Sequence, residues 1–223
     1  MKFITPIEMP RGAHYGNNYF IVYSNKIKRV CHFYSNLEYY NFLSLEINPE
    51  VSTFCEQPLK IEILQENKLK HAIFDMWVQY KDGHEELQEV KYDSELKGED
   101  DKCIRSQEQI RRQEEWCLLN NISFVVRTDK TIPLGKFFLK NANVMCAHLR
   151  RYVPTEDRYY NPRIIGALEE NKMLTIGTLI NLDLLPVNNE ISHLCYMYEK
   201  GLVYMNIESR PLDYKTEVSL WQN

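Results

Sequence analysis

No run of about 18 apolar residues occurs anywhere in the 223-residue chain, so no segment reads as a helix that spans a bilayer. The first eleven residues, Met1 to Arg11, lack the apolar stretch and small-residue cleavage site of a secretory signal. The six cysteines stand at 31, 55, 103, 117, 146 and 195 with no Cys-x-x-Cys pair. That spacing is wrong for a zinc site, and the count is too low for a secreted disulfide scaffold. These absences lead to the expectation of free thiols in a reducing cytoplasm. There is no Gly-rich phosphate loop and no Ser-nucleophile elbow. The six histidines are scattered, and His193-Leu194-Cys195 has no further ligand at useful spacing. Internal repeats and low-complexity tracts are also missing.

What is present suffices for a packed core: 44% of residues are hydrophobic and 26% charged. The length suits one domain or a larger domain with a small companion. A net charge of −4 is by itself poor for a nucleic-acid binder, but its distribution is uneven. Residues 1 to 36 hold five bases (Lys2, Arg11, Lys26, Lys28, Arg29) against Glu8 alone. Residues 85 to 101 hold eight acids against Lys91 and Lys97. From 136 to 163, Lys136, Lys140, Arg150, Arg151, Arg158 and Arg163 face only Glu156 and Asp157. An acidic centre between basic flanks suits a metal site beside a phosphate backbone, and equally suits ordinary surface variation.

Patterning predicts an irregular arm ending in a strand over 19–23, then a helix from Ser35 to about Glu46. Residues 58–65 and 71–80 alternate as strands do, and a turn at Lys81-Asp82-Gly83 leads into a third strand over 84–91. A long helix over 99–120 and a compact buried strand over 122–126 follow. This order gives an α/β domain with a mixed sheet flanked by helices, over residues 1–153 with the N-terminal arm. Residues 136–152 read as helical, and Pro154 and Pro162 bracket a linker. Beyond it, three short helices (163–170, 174–182, 189–200) and two strands around Ser209-Arg210-Pro211 give the order of a winged-helix module over 154–223.

Phosphodiester hydrolysis needs hard oxygen ligands for Mg²⁺, a source of hydroxide, and a positive group near the attacked phosphate. Two carboxylates and a lysine on one sheet face supply all three, and the candidates are Asp75 with Glu89-Val90-Lys91. The tripeptide pattern alone says nothing. Glu-x-Lys occurs four times, at 66, 89, 95 and 170, and Asp-x-Lys twice, at 100 and 213; most such pairs are solvated charges. Geometry is what separates one of them. The strand period places Glu85, Leu87, Glu89 and Lys91 on one face, and Ile73, Asp75 and Trp77 share a face of the preceding strand. A two-residue Asp-Gly turn pairs Asp75 with Val90, which points away. A three-residue loop with Gly83 left-handed and a G1 bulge pairs Tyr80 with His84 and sets Asp75 opposite Glu89. Both turns are chemically allowed, and only the second builds a site. Directly opposed carboxylates repel across a sheet, which is the physical reason to expect a cation. Glu38 has two readings: Ser35-x-x-Glu38 matches a capping box, yet on a helical wheel Glu38 falls between Phe42 and Leu45 and faces inward. Arg105, Arg111 and Arg112 lie on the helix after the site, on a face read mainly as solvated.

In order and spacing, Ser35-Asn36-Leu37-Glu38, Glu56-Gln57-Pro58, Phe74-Asp75 and Glu89-Val90-Lys91 resemble the TnsA family, over roughly residues 30 to 130. These are endonuclease subunits of heteromeric cut-and-paste DNA transposases, with a restriction-endonuclease-like core whose signature is Pro-Asp followed by Asp/Glu-x-Lys. Phe74 stands in place of the proline, which contributes nothing to a metal. The resemblance makes Glu38 a site residue as well as a cap. It implies that Asp75, Glu89 and the Val90 carbonyl hold Mg²⁺ (Mn²⁺ substituting), and that a second ion shares Asp75 and reaches Glu38. Lys91 would lower the pKa of the attacking water or stabilise developing charge. The implied role is to cut the 5′ strands at transposon-end DNA in the bacterial cytoplasm, beside an integrase-type transposase. An ATPase regulator would bind the C-terminal domain, where residues 161–223 carry five bases against eight acids and so suit protein better than DNA. A stand-alone restriction or repair nuclease, and a non-catalytic adaptor between transposase and ATPase, are the alternatives.

Overall fold

The computed structural model describes residues 3–9, 18–65, 68–152, 154 and 157–221, and among these the chain divides into two compact units. The first gathers residues up to 45 and 50–133; the second gathers 46–49 and 134–223. No helix among the described residues is long and apolar enough to cross a membrane.

The first unit opens with a hairpin, β1 (Phe20–Ser24) and β2 (Arg29–Phe33), followed by α1 (Asn36–Ile47). Then come β3 (Val51–Glu56), β4 (Lys60–Gln65), β5 (Lys68–Ile73), β6 (Met76–Tyr80) and β7 (Glu85–Val90). A short α2 (Asp93–Lys97), the long α3 (Asp101–Leu119) and β8 (Ser123–Arg127) complete it. The main sheet has the order β3-β6-β7-β8, antiparallel except for the parallel β7–β8 pair, so the expected mixed α/β sheet with flanking helices is what forms. β4 and β5 pair only with each other, as a separate ribbon.

The central strands β6 and β7 bury both faces. On one side Phe74, Trp77 and Leu87 pack with Cys117 of α3, with Trp116 and Phe124 against their edge. On the other, Phe42 of α1 meets Phe33 and Phe54 at ring separations of 4.9 and 5.8 Å. On that side Asn41 Nδ2 also donates to the buried Gln88 Oε1 at 2.7 Å. Alternating strand directions therefore send Leu87 and Glu89 toward α3 and Gln88 toward α1.

Two strands escaped the sequence reading, β2 and β3, and the segment read as one strand over 71–80 is two. It breaks at Phe74-Asp75, where Phe74 N bonds back to Leu59 O and Asp75 O accepts from Gln57 N. The hairpin loop is the three-residue form. Gly83 has φ +89°, Tyr80 N donates to His84 O at 2.8 Å, and the register runs Gln79 opposite Glu85 through Met76 opposite Gln88. At Asp75 the ladder slips: its N–H donates to the carbonyl of Gln88, the residue already facing Met76. Asp75 is thus displaced from the position directly opposite Glu89.

The second unit contains α4 (Lys136–Arg151), α5 (Asp157–Asn171), β9 (Met173–Thr175), α6 (Ile176–Asn181), α7 (Glu190–Glu199), β10 (Val203–Met205) and β11 (Glu217–Leu220). Its small sheet is antiparallel in the order β10-β11-β9. The buried Asn141 of α4 holds the loop before β11, donating to Ile207 O and Arg210 O and accepting from Leu212 N. The contact boundary therefore falls before α4, at Leu134, where sequence placed it at 154. Pro162 corrects the expected linker. It lies inside α5, past the first turn, where it forgoes one i→i−4 bond while Ile164 and Leu168 bury the same helix. Residues 153, 155 and 156 of that linker, and 10–17 of the N-terminal arm, lie outside the described residues.

Candidate active site

The break after β5 and the end of β7 bring Asp75, Val90 and Lys91 to one edge of the main sheet, where α1 presents Glu38. These four line a cleft of about 740 Å³ with Ser35, Tyr92 and Lys102, among others. Glu89 is 1% exposed and lines an adjoining hollow that also contains Glu38, Asp75 and Lys91.

Each carboxylate is held differently. Asp75 turns along β7, so that its Oδ2 accepts from Val90 N at 2.7 Å. The slip in the ladder permits this bond and relieves the direct opposition of two acids. Glu89 Oε1 meets Lys91 Nζ at 2.6 Å and Gln109 Nε2 at 2.7 Å, and its Oε2 accepts from Gln113 Nε2 at 2.6 Å. Glu38 does what the capping box requires: Oε2 accepts from Tyr34 N at 3.1 Å, Oε1 from Ser35 Oγ at 2.8 Å, and Ser35 Oγ accepts from Glu38 N at 3.2 Å. Capping and facing the cleft are compatible, because the cap fixes the carboxylate at the start of α1, beside the sheet edge.

The electrostatics are unbalanced. Three carboxylates surround one ammonium. Burial, then the nearby Glu38 charge, pushes the Asp75 carboxyl up to about 7, against the pull of Lys91 and the Val90 N–H. Burial and the Asp75 charge push Glu89 up to about 7 as well. Burial also raises Glu38, against its cap hydrogen bonds. For Lys91, desolvation is outweighed by Glu89 and Asp75, so its pKa rises and it stays a cation.

Gln109 and Gln113 went unnoticed in the sequence. Gln113 belongs to the buried stripe of α3 with Cys103, Ser106 and Cys117, a burial that only the packing of α3 reveals. Among the described residues its buried Oε1 has no partner, while its amide nitrogen also reaches Ile73 O at 3.4 Å. The arginines of α3 stay away from the carboxylates: Arg105 and Arg111 are exposed, and Arg112 lies 3.6 Å from Glu108. The Glu56-Gln57-Pro58 segment has a structural task. Glu56 is fully buried and takes two bonds from Arg29, at 2.5 and 2.7 Å, and Gln57 adopts φ +37° to turn the chain into β4.

Among the described residues no three Asp, Glu, His or Cys side chains converge tightly enough to chelate a metal by themselves. The hard donors suit an ion that keeps several waters: buried carboxylates whose charged form desolvation disfavours. Asp75 and Glu89 fit that description, and Glu38 faces the same cleft while each of its oxygens takes one bond in the cap.

Residues 48–129 match the family model described as the TnsA-like endonuclease N terminal. Asp75, Glu89, Lys91, Gln109 and Gln113 fall inside that span and Glu38 outside it. Comparison with the curated proteins gives no match.

Proposed function

Taking residues 48–129 as a TnsA-like endonuclease domain, we propose that this chain is a Mg²⁺-dependent endonuclease subunit of a heteromeric transposase. In this reading it cuts the 5′, non-transferred strands at the transposon ends. One observation carries the reading: Asp75, Glu89 and Lys91 meet at one cleft edge with a surplus of negative charge that a divalent cation would neutralise.

Asp75, Glu89 and the Val90 carbonyl are the ligands proposed for the ion, which would act as a Lewis acid on the phosphate and lower the pKa of a bound water. Lys91, kept charged by its acidic neighbours, stabilises negative charge developing on the attacked phosphate. Gln109 and Gln113 aim both oxygens of Glu89. A second ion would be shared by Asp75 and Glu38, whose oxygens each take one bond in the cap and keep lone pairs for a cation.

For the second unit we keep the winged-helix reading. The order α5-β9-α6-α7-β10-β11, with β11 between β10 and β9, supports it. Within this unit, residues 161–223 carry five bases against eight acids, which supports a protein partner, the ATPase regulator, over DNA for that part. The integrase-type transposase then supplies end recognition in the bacterial cytoplasm. The test is a reconstituted excision assay with that partner, mapping both strands in Mg²⁺, Mn²⁺ and EDTA. Metal-dependent 5′-strand cuts that disappear without this chain support the reading. Cuts that persist in EDTA, or without the chain, end it.

A further inference from the structure

The cleft continues past the carboxylates. The hollow that contains Glu38, Asp75, Glu89 and Lys91 measures about 330 Å³, and its outer wall is Lys60 and His71 of the β4–β5 ribbon. It shares Met9, Tyr34 and Gln57 with a further hollow of about 530 Å³, walled by Tyr19, Arg29 and His32. The two hollows thus adjoin along Met9, Tyr34 and Gln57, between the carboxylates and the β1–β2 hairpin.

The two directions away from the carboxylates differ in chemistry. Toward α2 and α3 the walls are Tyr92, Ser94, Glu95, Asp100 and Lys102, a mostly polar and acidic surface. Toward the hairpin they are rings and cations. Tyr19 stacks on His32 at 5.8 Å and 26°, and leans on Tyr34 at 5.2 Å and 38°. Tyr19 is 41% exposed, whereas Tyr34 is 8% exposed and tied through its N–H to Glu38 Oε2. The acid on this wall, Glu56, is neutralised by Arg29. Lys60 and His71 are about half exposed, and Glu62 stands 3.7 and 3.2 Å from them. Glu8 lies at the far end.

Base faces reach aromatic rings only when the bases are unstacked, so rings at hand with cations fit a single strand and not a closed duplex. We propose that these hollows bind an unpaired run of the cleaved strand, with bases on Tyr19 and His32 and phosphates near Lys60 and His71. The nuclease reading explains why a strand should lie there; the binding itself needs neither metal nor catalysis.

The full chain is titrated in EDTA with a single-stranded oligonucleotide of about 12 nucleotides containing 2-aminopurine, and with the same sequence as a blunt duplex. The expected result is tighter binding of the single strand with quenched 2-aminopurine. Tyr19→Ala and His32→Ala should each weaken it by about tenfold, the size of one base–ring stack, with duplex binding unchanged. Tyr19→Phe, which keeps the ring, should bind as wild type. Alanine variants that bind the single strand like wild type, or a wild type that prefers the duplex, overturn the proposal. Failure of the nuclease reading shows elsewhere, as 5′-strand cutting that survives Asp75→Ala, and leaves this titration unchanged.

Discussion

Both compact units bury polar side chains, and one cluster from each is built on the opposite principle to the other. In the second unit His193 is 1% exposed, with Nε2 2.8 Å from Asn161 Oδ1 and Nδ1 3.3 Å from Tyr152 Oη. Tyr152 Oη in turn donates to Asp157. Both ring nitrogens lie within hydrogen-bond reach of polar neighbours, and burial holds the imidazole below its usual pKa despite Asp157. That is one way a fold disposes of a buried titratable group: uncharged, among polar neighbours. In the first unit the carboxylates are pushed up to about 7 and Gln113 keeps an unpartnered oxygen. A cluster that leaves charge uncompensated works against the fold around it, and marks a place where something else must supply the charge.

The contrast breaks first at Glu89. Glu89→Ala should reduce 5′-strand cutting on the order of 10³-fold while the melting temperature of metal-free protein holds or rises. Activity near wild type would make the acid surplus incidental. Next comes Gln113→Leu. By freeing Glu89 Oε2 from its donor it should slow cutting by roughly 10–100-fold, with metal affinity falling in parallel, and calorimetry with Mn²⁺ checks that coupling. His193→Ala should cost about 2 kcal/mol of unfolding free energy by denaturant titration, with the chemistry of cutting unaltered. A lowered cutting rate at full folding would contradict the division between the clusters.

The smallest effect is the most discriminating. Asp75 and Glu89 carry folded pKa values of about 7, above their unfolded values near 4. The folded state therefore binds more protons between those limits, and metal-free stability should fall as pH rises through that window. Asp75→Asn should recover stability above pH about 7 and recover nothing near pH 4. His193 works in the other direction: its folded pKa is lowered, so its contribution is present above about 6.5 and is lost as pH falls below it. His193→Gln should flatten that acid limb. Melting temperatures of the two variants across pH 4 to 8 would collapse the distinction if both followed wild type.

The sheet and the carboxylate–lysine trio were legible because they follow from local rules. Strand period marked the strands and a capping box placed Glu38 at the start of α1, while of the two turns left open the structure adopts the one that pairs Tyr80 with His84. What was illegible depends on residues far apart in sequence. β3 is a strand because β6 pairs with it across two intervening elements. Gln109 and Gln113 matter only once α3 lies on Glu89. The slip at Asp75, whose N–H bonds to Gln88 O, lets its carboxylate accept from Val90 N fifteen residues away. The boundary ahead of α4 is set by Asn141 reaching a loop more than sixty residues on.

The most direct test is strand-resolved donor cleavage with the partner transposase in Mg²⁺, comparing wild type with Asp75→Ala and Lys91→Ala. The account predicts that 5′-strand cuts vanish in both variants while 3′-strand cuts persist. If 5′ cutting survives in both, the trio is structural and the chain is an adaptor.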